Sequence, residues 1–184
     1  MSGDNIPKIT LSKEEVDRAM DELLPITGDL IRQRIIDGVG YFYLISLFGK
    51  LTCSKMNISQ NMIFSNISMD SSIQFSDTEL CELELRKSVI GCFRLDHSVI
   101  NGNLVIDRSS IDSLGMNRTV INGNLIICES SVRRLIELRD TEIKGYIRIM
   151  TTDGPEEIFV SENMAQRIHL AAPNVPLVVI KNRD

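Results

Sequence analysis

The chain has no tryptophan, three tyrosines and two histidines among 184 residues, and these shortages remove several chemistries at once. His97 and His169 stand 72 residues apart in the chain. The four cysteines, Cys53, Cys81, Cys92 and Cys128, show no CxxC spacing. A structural zinc site wants clustered Cys and His ligands, so none is expected, and scattered thiols fit a reducing compartment. No G-x-S-x-G elbow, P-loop or G-x-G-x-x-G occurs, which leaves no nucleophile or phosphate-binding signature and implies no cofactor. Basic residues are in deficit: 20 Lys+Arg against 25 Asp+Glu give a net charge of −5. A direct nucleic-acid binder is expected to present a basic surface instead. The longest apolar run, "VGYFYLISLFG", is too short to span a bilayer. The first ten residues, "MSGDNIPKIT", are polar and carry no signal-peptide pattern, so a cytoplasmic protein is expected.

What the chain does contain is a repeat. Residues 98–104 read "SVINGNL" and residues 119–125 read "TVINGNL". The apolar spacing Ile100, Leu104, Ile106 recurs at Ile121, Leu125, Ile127, at Val132, Ile136, Leu138 and at Ile143, Ile147, Ile149. A form one residue shorter appears at Leu80, Leu83, Leu85 and at Ile111, Leu114, Met116. Upstream units are Leu47, Leu51, Cys53; Ile58, Met62, Phe64; Met69, Ile73, Phe75; and Val89, Phe93, Leu95. Downstream, Ile158 and Val160 keep the register, followed by Met164, Ile168, Leu170 and, more loosely, Val175 and Val179. Of 39 template slots only Gly154 and Lys181 are not apolar, where composition alone would fill about 17.

A period near eleven residues is too short for a strand, a helix and their connections. It fits short strands joined by tight corners, with paired inward positions two apart. A small hydroxyl residue often stands two places before the unit start: Thr78, Ser98, Ser109, Thr119, Ser130, Thr141 and Thr152. Two units then make a coil of 21–22 residues with about four short faces, an all-β solenoid whose stacked coils bury a continuous apolar column. Gly91, Gly102, Gly123 and Gly145 share one place in the unit and are expected to form corners with glycine-only backbone angles.

The stretches "DHSVI", "NRTVI" and "DRSSI" resemble the pentapeptide-repeat family, whose members form right-handed quadrilateral β-helices. The likeness covers roughly residues 45–150. The chain departs from the family pattern in having Ile and Val where Leu or Phe is usual, and in having very few of its Ala residues and Asp/Asn-Leu pairs. The resemblance implies a right-handed β-helix, and some members of the family imitate DNA and bind type II topoisomerases.

The ends are expected to differ from the coils. Residues 1–44 read as a helical cap. Ser12 and Glu15 form a capping box, and Val16, Ala19, Met20, Leu23 and Leu24 make a helical stripe that Pro25 stops. A second helix in "TGDLIRQRIIDG" should turn Leu30, Ile31, Ile35 and Ile36 inward and end at Gly38, with "YFYLISLF" packed beneath. Residues 45–184 form the solenoid, with a loop at 151–157, "TTDGPEE", and an irregular C-terminal coil whose Pro173 and Pro176 suit an edge. A homodimer through that C-terminal coil is one way to cover it.

For function, the outward columns matter. No catalytic, cofactor or metal residue is assigned. Asp96 and Asp107 fall on different faces half a coil apart, which disfavours a glycosidase pair. His97, Arg118, Asp140 and Glu162 alternate charge along one column. The candidate protein interface is the set Asn101, Asn103, Val105, Asn122, Asn124, Ile126, Tyr146 and Arg148, in which each residue stacks on the one a coil earlier. A purely structural asparagine ladder is the competing explanation. The expectation is a non-catalytic binding protein docking another protein, such as an inhibitor of a nucleic-acid enzyme from a bacterium, phage or mobile element. The alternatives are a carbohydrate-binding or carbohydrate-processing β-helix, for which three tyrosines are little material, and a structural assembly element.

Overall fold

A computed structural model describes residues 26–43, 46–171 and 177–180. Residues 1–25, with the Ser12 box, the 16–24 stripe and Pro25, lie outside the described residues, as do Pro173, Val175, Pro176 and the side chains of Leu30, His169 and Leu170.

The chain winds as a parallel β-solenoid of about six turns. Sheet I stacks the two-residue strands Asn57–Ile58, Glu79–Leu80, Val99–Ile100, Val120–Ile121 and Glu142–Ile143. Sheet II stacks Tyr41–Tyr43, Met62–Ser65, Leu83–Arg86, Leu104–Asp107, residues 125–128 and Ile147–Thr151. Sheet III stacks Leu51–Ser54, Ser68–Ser76, Val89–Asp96, Ser110–Asn117, residues 131–138, Glu157–Ser161 and Leu177–Ile180. The long strands of sheet III are bent, with a register shift between Ile90 and Cys92 and another between Ile111 and Ser113. Each coil therefore carries four short paired runs.

Alternation along these runs builds the core. Leu104 and Ile106 are fully buried while Val105 and Asp107 point outward. The buried side chains form one cluster from Ile31 to Ile168. Two inward positions differ from the sequence reading: Val179 is exposed, and Ile90, not Val89, is buried, with Val89 52% exposed. The shift beside Gly91 shortens the Val89 unit, and it brings Ser88 into the hydroxyl column.

That column is a ladder inside the solenoid. The Ser88 N–H donates to Ser109 Oγ at 3.1 Å, and the Ser109 N–H donates to Ser130 Oγ at 3.1 Å. Ser109 Oγ–H in turn donates to Asp107 O at 3.0 Å. A buried backbone N–H needs a partner, and here a hydroxyl one coil away supplies it. Thr78, Ser98, Thr119 and Thr141 are buried in a second column half a coil away, where the Thr78 N–H donates to Ser98 Oγ at 3.2 Å, whereas Thr152, the residue above Ser130, is exposed.

The corners overturn the expectation for glycine. Among the described residues, nine that are not glycine take left-handed φ between 48° and 55°, among them His97, Arg108, Arg118, Glu129 and Asp140. Most stand directly before a ladder hydroxyl. Such backbone costs about 1 kcal/mol or more per residue, and bonds such as His97 N–H to Asn117 O at 2.9 Å help hold it. Gly91, Gly102, Gly123 and Gly145 have no positive φ. They are glycine because the coils touch there: a Cβ on Gly123 would lie 2.5 Å from Gly102 O, and one on Gly145 would lie 2.5 Å from Gly123 O.

Helix α1, Gly28–Ile36, buries Ile31 and Ile35 at the start of the core, but Ile36 is 38% exposed rather than inward. Gln60 Nε2 donates to Ile35 O at the helix end. In the run expected to pack beneath it, Phe42 is buried while Tyr41 and Tyr43 face out. The 151–157 segment follows the coil before it, with Thr152 N–H donating to Ser130 O, Val132 N–H to Asp153 O and Glu156 N–H to Arg134 O.

The unit at Met164 is a helix, α2, Glu162–Ala171. A four-residue apolar spacing serves a solenoid corner and a helical turn equally well, so Met164 and Ile168 are buried in either geometry. Arg167 on α2 donates through Nη1 to Ile143 O and through Nη2 to Gly145 O. One coil earlier the same two carbonyl positions, Ile121 O and Gly123 O, accept from the Lys144 and Gly145 N–H groups. The guanidinium thus stands in for the backbone of a further coil.

Two substitutions test this geometry by urea unfolding. Gly123→Ala should destabilise by about 1–3 kcal/mol because backbone blocks the new methyl. Gly115→Ala, whose Cβ would meet only the Arg94 side chain, Cγ at 3.5 Å and Nε at 3.9 Å, should fall within about 0.5 kcal/mol of wild type. For the hydroxyl ladder, Ser109→Ala should cost about 1–3 kcal/mol by stranding the Ser88 N–H. The exposed Ser68→Ala should cost less than about 0.5 kcal/mol, and equal losses at the two serines would remove the ladder from the account.

Candidate interaction face

The residues expected to form an interface lie on the outside of sheet II and in the turn between sheets I and II. Strand pairing places Val105 beside Ile126, and Ile126 beside Arg148, one outward column of sheet II. Glu84 precedes Val105 in that column, and Ile63 precedes Glu84. Val105 and Ile126 are half-buried by their neighbours, while Tyr146 is 57% exposed and Arg148 is exposed.

The asparagines are occupied with one another. Asn122 Nδ2 donates to Asn101 Oδ1 at 3.1 Å, and Asn101 Nδ2 donates to Glu79 Oε1 at 2.8 Å. In the next column Asn124 Nδ2 donates to Asn103 Oδ1 at 2.9 Å, and Asn103 Nδ2 donates to Glu82 Oε1 at 2.9 Å. Asn61 reaches the other Glu82 oxygen. Asn124 Oδ1 accepts from the Tyr146 N–H at 3.0 Å, and Asn103 Oδ1 from the Asn124 N–H. The turn between sheets I and II is thereby tied together across coils, which makes these four asparagines part of the frame. The sequence set is brought together in space, but Val105, Ile126, Tyr146 and Arg148 are what it offers outward.

Sequence reasoning missed four further residues here. Glu84 sits one coil below Val105, and its carboxylate meets Arg86 at 2.5 Å. Met150 is 50% exposed, and its Sδ lies 3.0 Å from Arg148 Nε. Tyr41 and Tyr43 project from the first strand of sheet II with ring centroids 6.2 Å apart and planes 11° from parallel. The 21-residue step from Val105 back to Glu84 was the available signal. The tyrosines stand in a run whose apolar character reads as core.

Three members of the expected charged corner column come together, while the fourth, Glu162, instead opens helix α2. Arg118 Nη1 stands 3.4 Å from His97 Nε2, and its Nε stands 3.8 Å from Asp140, exposed contacts worth little. Asp96 lies in sheet III and Asp107 in sheet II. The four cysteines are free thiols. Burial pushes the Cys53 thiol up to about 11, against the pull of the Arg32 charge. Among the described residues no group of three His, Cys, Asp or Glu could hold a metal ion, and no helix is long and apolar enough to cross a membrane.

Comparison with family models, curated proteins and solved structures finds no match to this chain.

The frame and the outward residues separate experimentally. Asn124→Leu removes the bond to Asn103 and strands the Tyr146 N–H, so its thermal and urea stability should drop by about 1–3 kcal/mol. Arg148→Ala touches only surface contacts and should shift stability by less than about 0.5 kcal/mol. A neutral Asn124→Leu would mean that the ladder holds nothing.

Proposed function

We propose that the chain is a non-catalytic protein-binding module, a rigid β-solenoid that docks another protein on the outer face of sheet II. The observation that carries this is the Val105–Ile126 pair, an apolar centre on a flat face, with exposed Tyr146, Arg148 and Met150 at its border. Aromatic, Met and Arg side chains around an uncharged centre are the composition of protein interfaces. The right-handed sense, the quadrilateral section and the capping role of residues 1–44 belong to the same proposal, on the strength of the pentapeptide-repeat resemblance and of Ile31 and Ile35 in the core.

Inhibition of a nucleic-acid enzyme is the specific form of docking that the resemblance raises. The charge distribution favours ordinary side-chain docking over imitation of a phosphate backbone. Arg108 pairs with Glu129 at 3.3 Å, Arg133 with Asp112 at 3.3 Å and Arg139 with Glu137 at 2.7 Å, so acidic groups are interleaved with arginines rather than massed. A carbohydrate-binding reading is favoured by one observation, the exposed near-parallel Tyr41 and Tyr43 rings, since flat aromatic faces can stack on sugars.

The test is an affinity capture from host lysate, comparing wild type with the Val105→Asp/Ile126→Asp variant. Docking predicts one dominant protein held by the wild type and lost by the variant. Where that protein acts on nucleic acid, its activity should fall on adding wild type but not the variant. Wild type that holds no protein, and a glycan array that lights up and goes dark with Tyr41→Ala/Tyr43→Ala, would replace docking by sugar binding.

A further inference from the structure

The outward columns of sheet II have a symmetry that their separate residues do not show. Along the central column the order is Glu84, Val105, Ile126, Arg148, one residue per coil in register. Coils are about 4.8 Å apart. An acid and a base therefore stand one coil below and one coil above an apolar pair. Turn a second copy over about a two-fold axis that lies in the face, along the strands, midway between Val105 and Ile126. Val105 then meets the partner's Ile126, and Glu84 meets the partner's Arg148, twice by symmetry.

The flanking columns agree with this operation. Glu82 comes opposite the partner's Tyr146, whose phenol can donate to the carboxylate, and Asn103 comes opposite the partner's Asn124. On the other side Arg86 comes opposite the partner's Met150, and Asp107 opposite the partner's Cys128. No like charges meet. Other arrangements are worse. With the two solenoids parallel, Glu84 faces its own copy. On sheet I the same operation sets Glu79 against the partner's Glu142. Sheet III also carries opposite charges along its axis, but they are used at home. Arg139 pairs with Glu137, and Arg94 is held above the ordinary arginine range first by a hydrogen bond to Cys92, against the opposing effect of burial, and then by the charges of Cys92, Asp96 and Glu137. Its centre is Gly115, with no apolar surface to bury. Arg148, by contrast, has no acidic partner among the described residues and only Met150 Sδ beside it.

The geometry points to a second copy of this chain as the occupant of sheet II: an antiparallel, face-to-face dimer centred on Val105 and Ile126 and held in register by two Glu84–Arg148 pairs. This rests on the reading of sheet II as the docking face and names its partner. The competing cation is Arg86, which shares Glu84 within the chain, but a carboxylate accepts from two guanidinium groups at once.

Charge exchange tests it by sedimentation velocity across a concentration series. Wild type should self-associate. Arg148→Glu and Glu84→Arg should each weaken the dimer at least about tenfold. Mixing the two variants should restore association, because each then meets the charge it needs. Should Glu84→Arg fail to fold, Arg148→Glu still decides, since that side chain is exposed: it must weaken the dimer and Arg148→Lys must not. A wild type that stays monomeric, or a dimer indifferent to both reversals, overturns the proposal. A monomer that still captures a foreign protein through Val105 and Ile126 overturns self-pairing and leaves the docking function standing.

Discussion

Everything in this molecule depends on the bond between a backbone N–H in one coil and a carbonyl in the next. Those bonds fix a coil spacing of about 4.8 Å, and the spacing leaves no freedom in the path of the chain. Each coil must retrace the one before, so the sequence repeats every 21–22 residues and identical side chains fall into columns. Inside, the columns are Leu, Ile, Met and Phe with almost no exposure. Where two coils come closest, at Gly102, Gly123 and Gly145, there is no room for a Cβ. Where the chain turns away from a strand it adopts left-handed φ, and the hydroxyl that follows serves a backbone group of the coil below.

The same bond makes the ends difficult, because the last coil has carbonyls with nothing above them. Arg167 answers this for sheet I and its turn. Two guanidinium N–H groups on one rigid plane take the carbonyls of Ile143 and Gly145, where a further coil would have offered two backbone N–H groups. The helix that carries Arg167 also lays Met164 and Ile168 over the end of the core. Sheet III ends differently, by adding the short strand Leu177–Ile180 to Glu157–Ser161. A side chain therefore closes one sheet and backbone extends the other, and the exposed Val179 marks where that extension stops.

The repeat, the core positions and the solenoid class were legible because a two-coil period writes itself into the chain many times over. What the sequence hid was local. Val89 and Ile90 are adjacent apolar residues, and only a register shift in sheet III decides which turns inward. Met164 and Ile168 satisfy two different periods at once. The corner glycines looked like conformational devices because glycine often is one, yet at these corners polar and mostly charged residues bear the left-handed angles, and Gly91, Gly102, Gly123 and Gly145 answer a clash between coils. That distinction lives in the distance between chains 21 residues apart, and no local pattern reports it. The candidate face was legible as columns. The partition within it was not, since an asparagine bound to its neighbour and one offered to a partner are the same letter.

That partition is where fold passes into function. A polar residue on a solenoid has two uses, and hydrogen bonds along the column consume the first. Asn101, Asn103, Asn122 and Asn124 spend their amides on one another and on Glu79 and Glu82, so they keep the turn stiff and give a partner little. Removing them from the interface leaves the column through Val105 and Ile126, whose apolar side chains have no such internal use on an outward face. Among the described residues, Arg148 beside them lacks the acidic partner that Arg86, Arg108, Arg118, Arg133 and Arg139 all have. A hydrated arginine beside half-buried aliphatic side chains costs nothing to leave exposed, so covering that face is favourable only where a partner sets a carboxylate against the guanidinium. On the proposed docking reading, a face whose strands are already tied coil to coil by backbone hydrogen bonds would take a matching surface without first having to be ordered.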